Sequence, residues 1–473
     1  MSREPITDAE EDERPEPLPE EREEQEYGLQ TPFVQAVLEA TFNDDTGTLS
    51  ELLDPLHAAD IADLLEQIGE GPRRELILLW GENVDGEILS ELDETIREEV
   101  IGALSPEALT EAVRELDSDD VVDLVEDLEE EQQEAILEAL PAADRIAVEE
   151  ALSWPEESAG RLMQREVVRA PEHWDVGQMI DFMRAEGQEL PEQFYHVILI
   201  DPKMHPVGYV ALGRILASPR STLLSDITED SFRTVPVDQD EGEVAYAFNQ
   251  YHLISVPVVD HSDRLVGVIT IDDAMSVLDL EAEEDLLRLA GVGDESRVTD
   301  SVWETTKLRF PWLAVNLVTA ILASLVIDQF EAVIAQLVAL AVLMPIVASM
   351  GGNAGTQSLT VAVRAIATKD LTGSNVWRVI RREAAVGLVN GLAFAVLMGL
   401  VGWFWFDTAM LGAVLALAMI INLLVAGLAG ILVPVLLDKF DIDPALASGA
   451  FVTTVTDVVG FFAFLGLAAV MLL

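Results

Sequence analysis

Asp457 is the residue best placed to do chemistry in this chain of 473 amino acids. It lies near the middle of an apolar segment, 445–473, that is long enough to cross a membrane and has no other ionisable side chain. A carboxylate at that depth costs about 2.5–3.5 kcal/mol on insertion scales, so it normally faces a polar cavity and marks an ion or proton path. Around it stand Ser448, Gly449, Thr453, Thr454 and Thr456, where a lipid-facing helix would carry Leu and Ile. Such a face packs closely or lines water. The other reading is an acid neutralised by protonation or by one neighbouring helix. A cation site is the working reading.

A second candidate runs from Met344 to Gln357, Met-Pro-Ile-Val-Ala-Ser-Met-Gly-Gly-Asn-Ala-Gly-Thr-Gln. Pro345 removes one helical donor, and Gly351, Gly352 and Gly355 allow close backbone approach or local unwinding. Freed carbonyls and the Asn353 amide are suited to a hydrated cation. Tight helix packing through small residues accounts for the same pattern.

These motifs require membrane elements to hold them, and five apolar segments of sufficient length are predicted at 310–327, 332–363, 384–406, 409–437 and 445–473. Lys307 and Arg309 precede the first; Arg364, Lys369, Arg378, Arg381 and Arg382 lie between the second and third; Lys439 lies between the fourth and fifth. All these bases fall on one side, while the opposite turns hold Asp328, Glu331 and Asp407. The positive-inside rule therefore predicts a cytoplasmic N-terminal part and an outside C-terminus.

Charge divides the chain in the same way. Of 86 acids and 27 bases, only 10 acids and 8 bases lie from Ser301 onward, which leaves a net −57 on the first 300 residues. Only four of the bases are lysines, and this bias with the acid excess suits a halophilic protein kept soluble in concentrated salt, where carboxylate repulsion is screened. Acid density alone is therefore no evidence of a metal site. There is no cysteine, which excludes disulfides and thiolate metal centres.

Residues 1–30 are too polar to bury surface and predict a disordered acidic tail without a signal peptide. Over 31–158 the apolar spacing is helical, with capping signals such as Ser105-Pro106-Glu107 and Ser118-Asp119-Asp120. The segment 59–66 is repeated in kind at 119–126, which predicts stacked helical pairs in an all-α superhelical domain.

Two copies of a strand-and-helix unit follow, at 159–221 and 222–280. The second has strands at 232–237, 255–259 and 265–271 around a helix near 243–250; the first ends at Pro206-Val207-Gly208-Tyr209-Val210-Ala211-Leu212-Gly213-Arg214. This resembles a tandem pair of α/β CBS domains. The resemblance implies a pseudo-symmetric module and an adenosine nucleotide such as ATP held by a Thr or Ser and an Asp three residues later. Thr270 and Asp273 match that pattern in the second copy; the first copy has Ala211 and Arg214 there. At most one ordinary nucleotide site is implied, and a purely structural module fits as well.

The order of acidic helical domain, CBS pair, connecting helix (281–308) and five-span helical bundle (309–473) resembles an MgtE-type magnesium transporter or channel. The most specific pieces are Gly351-Gly352-Asn353-Ala354-Gly355-Thr356-Gln357 and Asp443-Pro444-Ala445-Leu446-Ala447-Ser448-Gly449, then Val452-Thr453-Thr454 and Asp457. The resemblance implies a homodimer through its membrane and CBS parts, with a pore along its axis in which Asp457 recognises Mg²⁺. Thr453, Gly351, Gly352, Asn353 and Gly355 are the further pore candidates. Gly449 departs from the pattern, since some relatives carry an Asn there. The resemblance also implies closure by cytoplasmic Mg²⁺ bound between the N-terminal, CBS and connecting-helix elements, with Asp273, Glu281, Glu284, Asp285 and Asp443 as sensor carboxylates.

The chemistry agrees: Mg²⁺ dehydrates reluctantly, so one carboxylate per subunit plus carbonyls suits a hydrated ion held weakly enough to leave. There is no phosphate-binding loop to power a pump, no enzymatic constellation, and no basic patch for nucleic acid. The expected function is Mg²⁺ uptake across the cell membrane; the rival is a membrane-anchored CBS nucleotide sensor that conducts nothing.

Overall fold

The computed structural model describes residues 29–473, apart from 115, 127, 129, 186–189, 192–193, 294–295, 297–301, 441, 447–448 and 473. Most of the acidic tail and Ser448 thus lie outside the described residues. The chain forms two compact units, 1–152 and 153–473.

The first unit is all helical, from Thr31–Phe42 to Ala142–Ala151, around one apolar core. The repeated segments are both helices, Ala58–Gln67 and Ser118–Glu126, and they bury matching positions: Ile61, Ala62, Leu64 and Leu65 in one, Val121, Val122, Leu124 and Val125 in the other. Each buries one apolar stripe; Asp63 and Asp123 are exposed, whereas Asp119 is buried. Ser105 Oγ accepts from Ala108 N at 3.1 Å and starts the helix Pro106–Arg114, as its sequence predicts.

The second unit begins with two sheets of the same design. Strands β1 (Arg169–Pro171), β2 (His196–Ile200) and β3 (Pro206–Ala211) form one; β4 (Val235–Pro236), β5 (Ser255–Val259) and β6 (Leu265–Thr270) form the other. In each, the first strand is parallel to the second and the second antiparallel to the third. Ile198, Tyr209, Leu265 and Val268 join the sheets in a small apolar cluster, and His196 Nδ1 meets Ser255 Oγ at 2.7 Å. Ala159 and Met163, expected in the first copy, are buried in the core of the second, where Gly160 N bonds Val237 O at 2.9 Å. That exchange joins two halves distant in sequence, which local periodicity does not report.

The last strand runs into a helix, Ile271–Ala290, much longer than the sheet it flanks. Gly291 stops it with a left-handed φ of 69°, and Val292 N bonds Leu287 O at 3.2 Å. The described helix thus begins at the end of the second sheet and ends at Ala290, and part of the expected connecting stretch, 294–295 and 297–301, lies outside the described residues. Leu289 packs with Leu359, Val363, Ala445 and Val452 of the membrane part.

Among the described residues, five helices are long and apolar enough to cross a membrane: Val302–Asp328, Ala339–Ala367, Val376–Phe406, Ala409–Lys439 and Gly449–Met471. They are called the first to fifth spans below. The expected second segment is divided, because a short helix, Glu331–Gln336, precedes the second span. The second, fourth and fifth spans share a buried core, and the first packs chiefly on the fifth with Ala323 its only buried residue. An apolar surface of that extent is suited to lipid.

Candidate ion site and the carboxylates outside the spans

The second span stays helical through Pro345 and all three glycines, so the motif works by close approach and does not unwind. A Cβ on Gly355 would stand 2.6 Å from Val452 Cγ1, and one on Gly352 would stand 3.2 Å from Thr453 Cγ2. A Cβ on Gly351 would strike the Asn422 amide. Gly352 therefore lies beside Thr453, and Asp457 lies one turn further along the same face of the fifth span. Asp457 is half-buried, and among the described residues its carboxylate has neither a hydrogen bond nor an ion pair. The threonines nearby return their hydroxyls to the helix: Thr453 Oγ1 to Ala450 O at 3.1 Å and Thr456 Oγ1 to Thr453 O at 2.9 Å. Asn353 is exposed, and its amide reaches only Ser349 Oγ at 3.4 Å. What the arrangement offers is one uncompensated intramembrane carboxylate with small and hydroxylated neighbours.

Sequence reasoning passed over Asn422. It is fully buried in the fourth span, donates to Val347 O at 2.7 Å, and touches Gly351 on one side and Gly460 on the other. It binds the second, fourth and fifth spans into one body. The signal was a lone amide in the apolar run 409–437.

The sensor candidates separate into two groups on one helix. Asp273 stands at its N-terminus, where its Oδ2 accepts from Thr270 N at 3.3 Å and Thr270 Oγ1 at 2.7 Å. The Thr-Asp pair therefore forms a capping box. Glu281 is two turns on, about 12 Å at 1.5 Å per residue. Its Oε1 lies where a Cβ on Gly242 would fall, against the start of the helix Glu241–Tyr251 and its cap Asp240. Glu284 and Asp285 face the membrane part, and Arg288 lies between them and the loop before the fifth span. Its guanidinium reaches Glu284 Oε2 at 3.0 Å and Asp443 Oδ2 at 2.8 Å. Asp443 Oδ1 also accepts from Ala445 N at 2.8 Å, which fixes the turn Pro444–Leu446.

Burial raises the Asp285 carboxyl above the usual carboxylate range, the Asp443 charge raises it further, and Arg288 opposes both. Burial also raises Glu281, with Glu284, Asp240 and Asp285 adding repulsion. The acids are thus crowded and only partly compensated. Among the described residues no three acids or histidines stand close enough to hold a metal ion as they are. In the first sheet unit Arg214, the counterpart of Asp273, donates to Thr228 O at 3.0 Å.

Comparison with known proteins adds identity to this geometry. Residues 344–467 match the family model described as MgtE, divalent cation transporter; 56–157 match the MgtE intracellular N domain, and 224–280 match the CBS domain. The magnesium transporter MgtE of Enterococcus faecalis is 34% identical over 318 residues, 67% of this chain and 70% of that protein. Its namesakes in Thermus thermophilus and Bacillus subtilis are 32% and 30% identical, with the same coverage. Among solved structures, the cytosolic domain of the Mg²⁺ channel MgtE in complex with ATP is 28% identical, with a TM-score of 0.48 over 52% of this chain and 99% of that one. With three family models matched in order and 34% identity to a curated transporter, the chain belongs to the MgtE family of magnesium transporters, a family of multi-pass membrane transporters and not of enzymes.

Proposed function

We propose that this protein is a homodimeric, magnesium-selective channel or transporter whose ion path is lined by Asp457, Thr453, Gly351, Gly352, Asn353 and Gly355. The observation that carries the reading is the unpaired Asp457 carboxylate, one turn from Thr453 and beside the glycine face of the second span. Two such carboxylates, one from each subunit, match the charge of one Mg²⁺. The geometric demands of that ion favour water-mediated contact. The first span, with a single buried residue, leaves surface for a partner subunit or lipid. Basic residues gathered at one end of the spans favour a cytoplasmic N-terminal part and an outside C-terminus.

Gating follows from the crowded acids. Glu281, Glu284, Asp285 and Asp443 repel one another, and a divalent cation among them favours the arrangement in which the helix Ile271–Ala290 is docked on the membrane part. Only acids whose spacing changes between open and closed states supply that differential affinity. Neutralising Glu281, Glu284 and Asp285 together is expected to weaken Mg²⁺-dependent closure in reconstituted vesicles. Neutralising Glu20, Glu21 and Glu23 is expected to leave it unchanged. Intact closure in the first variant would refute the gating assignment. An adenosine nucleotide, if bound, uses Thr270 and Asp273, which must first release each other; titration of the protein with ATP, with and without Asp273→Ala, tests that site.

A further inference from the structure

Behind the glycine face, the second span presents a different side to the third. Ala354, Gln357, Ser358 and Val361, at helical spacing, meet Glu383, Gly387 and Asn390 of the third span around a cavity of about 170 Å³. At roughly 30 Å³ per water it holds on the order of five waters. Glu383 and Ser358 stand about 11–14 Å inside the ends of their helices at 1.5 Å per residue, on the side that carries the basic residues.

The cavity is held open by close backbone contact at its floor. A Cβ on Gly387 would lie 2.7 Å from Leu423 O, and one on Gly427 would lie 3.1 Å from Glu383 O. The third span packs mostly on the fourth and touches the second little. Ser358, 9% exposed, donates its hydroxyl to Glu383 Oε2 at 2.9 Å. Among the described residues no cation pairs with Glu383; its neighbour Arg381 turns to the Trp377 ring instead. Gln357 and Asn390 are exposed and line the open side of the cavity, and their amides make no hydrogen bond among the described residues, so their oxygens are available to a ligand there.

We propose that this pocket binds a monovalent metal cation of the size of Na⁺, held by the Glu383 carboxylate, the Ser358 hydroxyl and the Gln357 and Asn390 amide oxygens. One carboxylate balances one positive charge. A divalent ion would be left half compensated by this single carboxylate. All the donors are hard oxygens, the set that alkali cations take. No residue of the fifth span lines the pocket, so the site is separate from Asp457. An occupying cation ties the third span to the second beside the Ser358–Glu383 bond.

The test is thermal unfolding of the full-length protein in detergent, free of divalent ions, with Na⁺ exchanged for choline at constant ionic strength. The expected result is a saturable rise in Tm with Na⁺, on the order of a few degrees. Glu383→Gln abolishes the rise, and Ser358→Ala raises the half-saturating concentration roughly tenfold by removing one hydrogen bond to a charged acceptor. Asp457→Asn retains it. Equal Tm values in Na⁺ and choline for the unmodified protein overturn the proposal. So does a Na⁺ response that survives unaltered in Ser358→Ala, or a shift that follows pH and not Na⁺, which would make Glu383 a proton site. If Glu383→Gln does not fold, the Na⁺–choline comparison and Ser358→Ala decide the matter.

Discussion

Replacing Gly355 with alanine adds one methyl group at the tightest contact between the second and fifth spans. The new carbon would lie 2.6 Å from Val452 Cγ1, about 1 Å inside ordinary carbon–carbon contact. Val452 is fully buried and β-branched, so in a helix it has essentially one rotamer; leaving that rotamer costs about 0.5–1.5 kcal/mol. The alternative is to move the fifth span outward by about 1 Å, which carries Thr453 and Asp457 with it. Overpacking of this kind costs roughly 1–3 kcal/mol. The midpoint of thermal unfolding should therefore fall by roughly 2–10 °C, and Mg²⁺ uptake in vesicles should fall with it. Gly352→Ala, where the new carbon stands 3.2 Å from Thr453 Cγ2, needs a shift of only a few tenths of an ångström and should be much milder. Removing the opposing methyl groups provides the control: in Gly355→Ala/Val452→Ala the two losses should be less than additive by about 1 kcal/mol or more. A Gly355→Ala protein as stable and active as the parent would refute the close-packing account, and strictly additive losses would show that Val452 is not the obstacle.

Three further outcomes follow from named contacts. Arg288→Gln removes the cation between Glu284 and Asp443, so limited proteolysis of the part before the first span should be faster without Mg²⁺ and more strongly slowed by it; no change would mean that the guanidinium bears no part in docking. Glu281 and Asp285 have raised carboxyl pKa values, so the docked helix takes up their protons more readily than the unfolded chain; the stabilisation is full below ordinary carboxylate values and is lost as pH rises through the raised ones. Acidification should therefore slow the same proteolysis, and Glu281→Gln with Asp285→Asn should flatten the effect, which is small where Glu281 meets solvent. Asn422→Leu loses the 2.7 Å bond to Val347 O and crowds Gly351 and Gly460, so unfolding in detergent should show a loss of about 1–2 kcal/mol; an unchanged midpoint would deny Asn422 its bridging part.

What could be read in the sequence was periodic or local. Five apolar stretches and the matching helical segments at 59–66 and 119–126 become helices, with the second stretch divided into Glu331–Gln336 and the second span, and the two strand-helix patterns become two sheets. Asp457 is legible because a charge in an apolar run needs a reason. What escaped is what depends on partners distant in the chain. Arg288 reads as one more base on a helix until Asp443, 155 residues later, is placed beside it. Asn422 reads as a flaw in an apolar span until Val347 and Gly460 close around it. Glu383 sits among arginines and reads as part of a loop; only the extension of its helix back to Val376 carries it into the bundle. Proline and three glycines forecast a choice between unwinding and close packing, and only the shape of the fifth span decides it.

The proposed ion path depends on Asp457 as its intramembrane carboxylate for Mg²⁺ passage. Its most direct test is Mg²⁺ flux into vesicles containing the purified protein, comparing the parent chain with Asp457→Asn at matched protein content and unfolding midpoint. The substitution removes the charge but keeps the shape, and it lifts a burial cost, so the variant should be folded and at least as stable while Mg²⁺ flux falls to that of empty vesicles. A folded Asp457→Asn protein that carries Mg²⁺ at the parent rate would contradict the account.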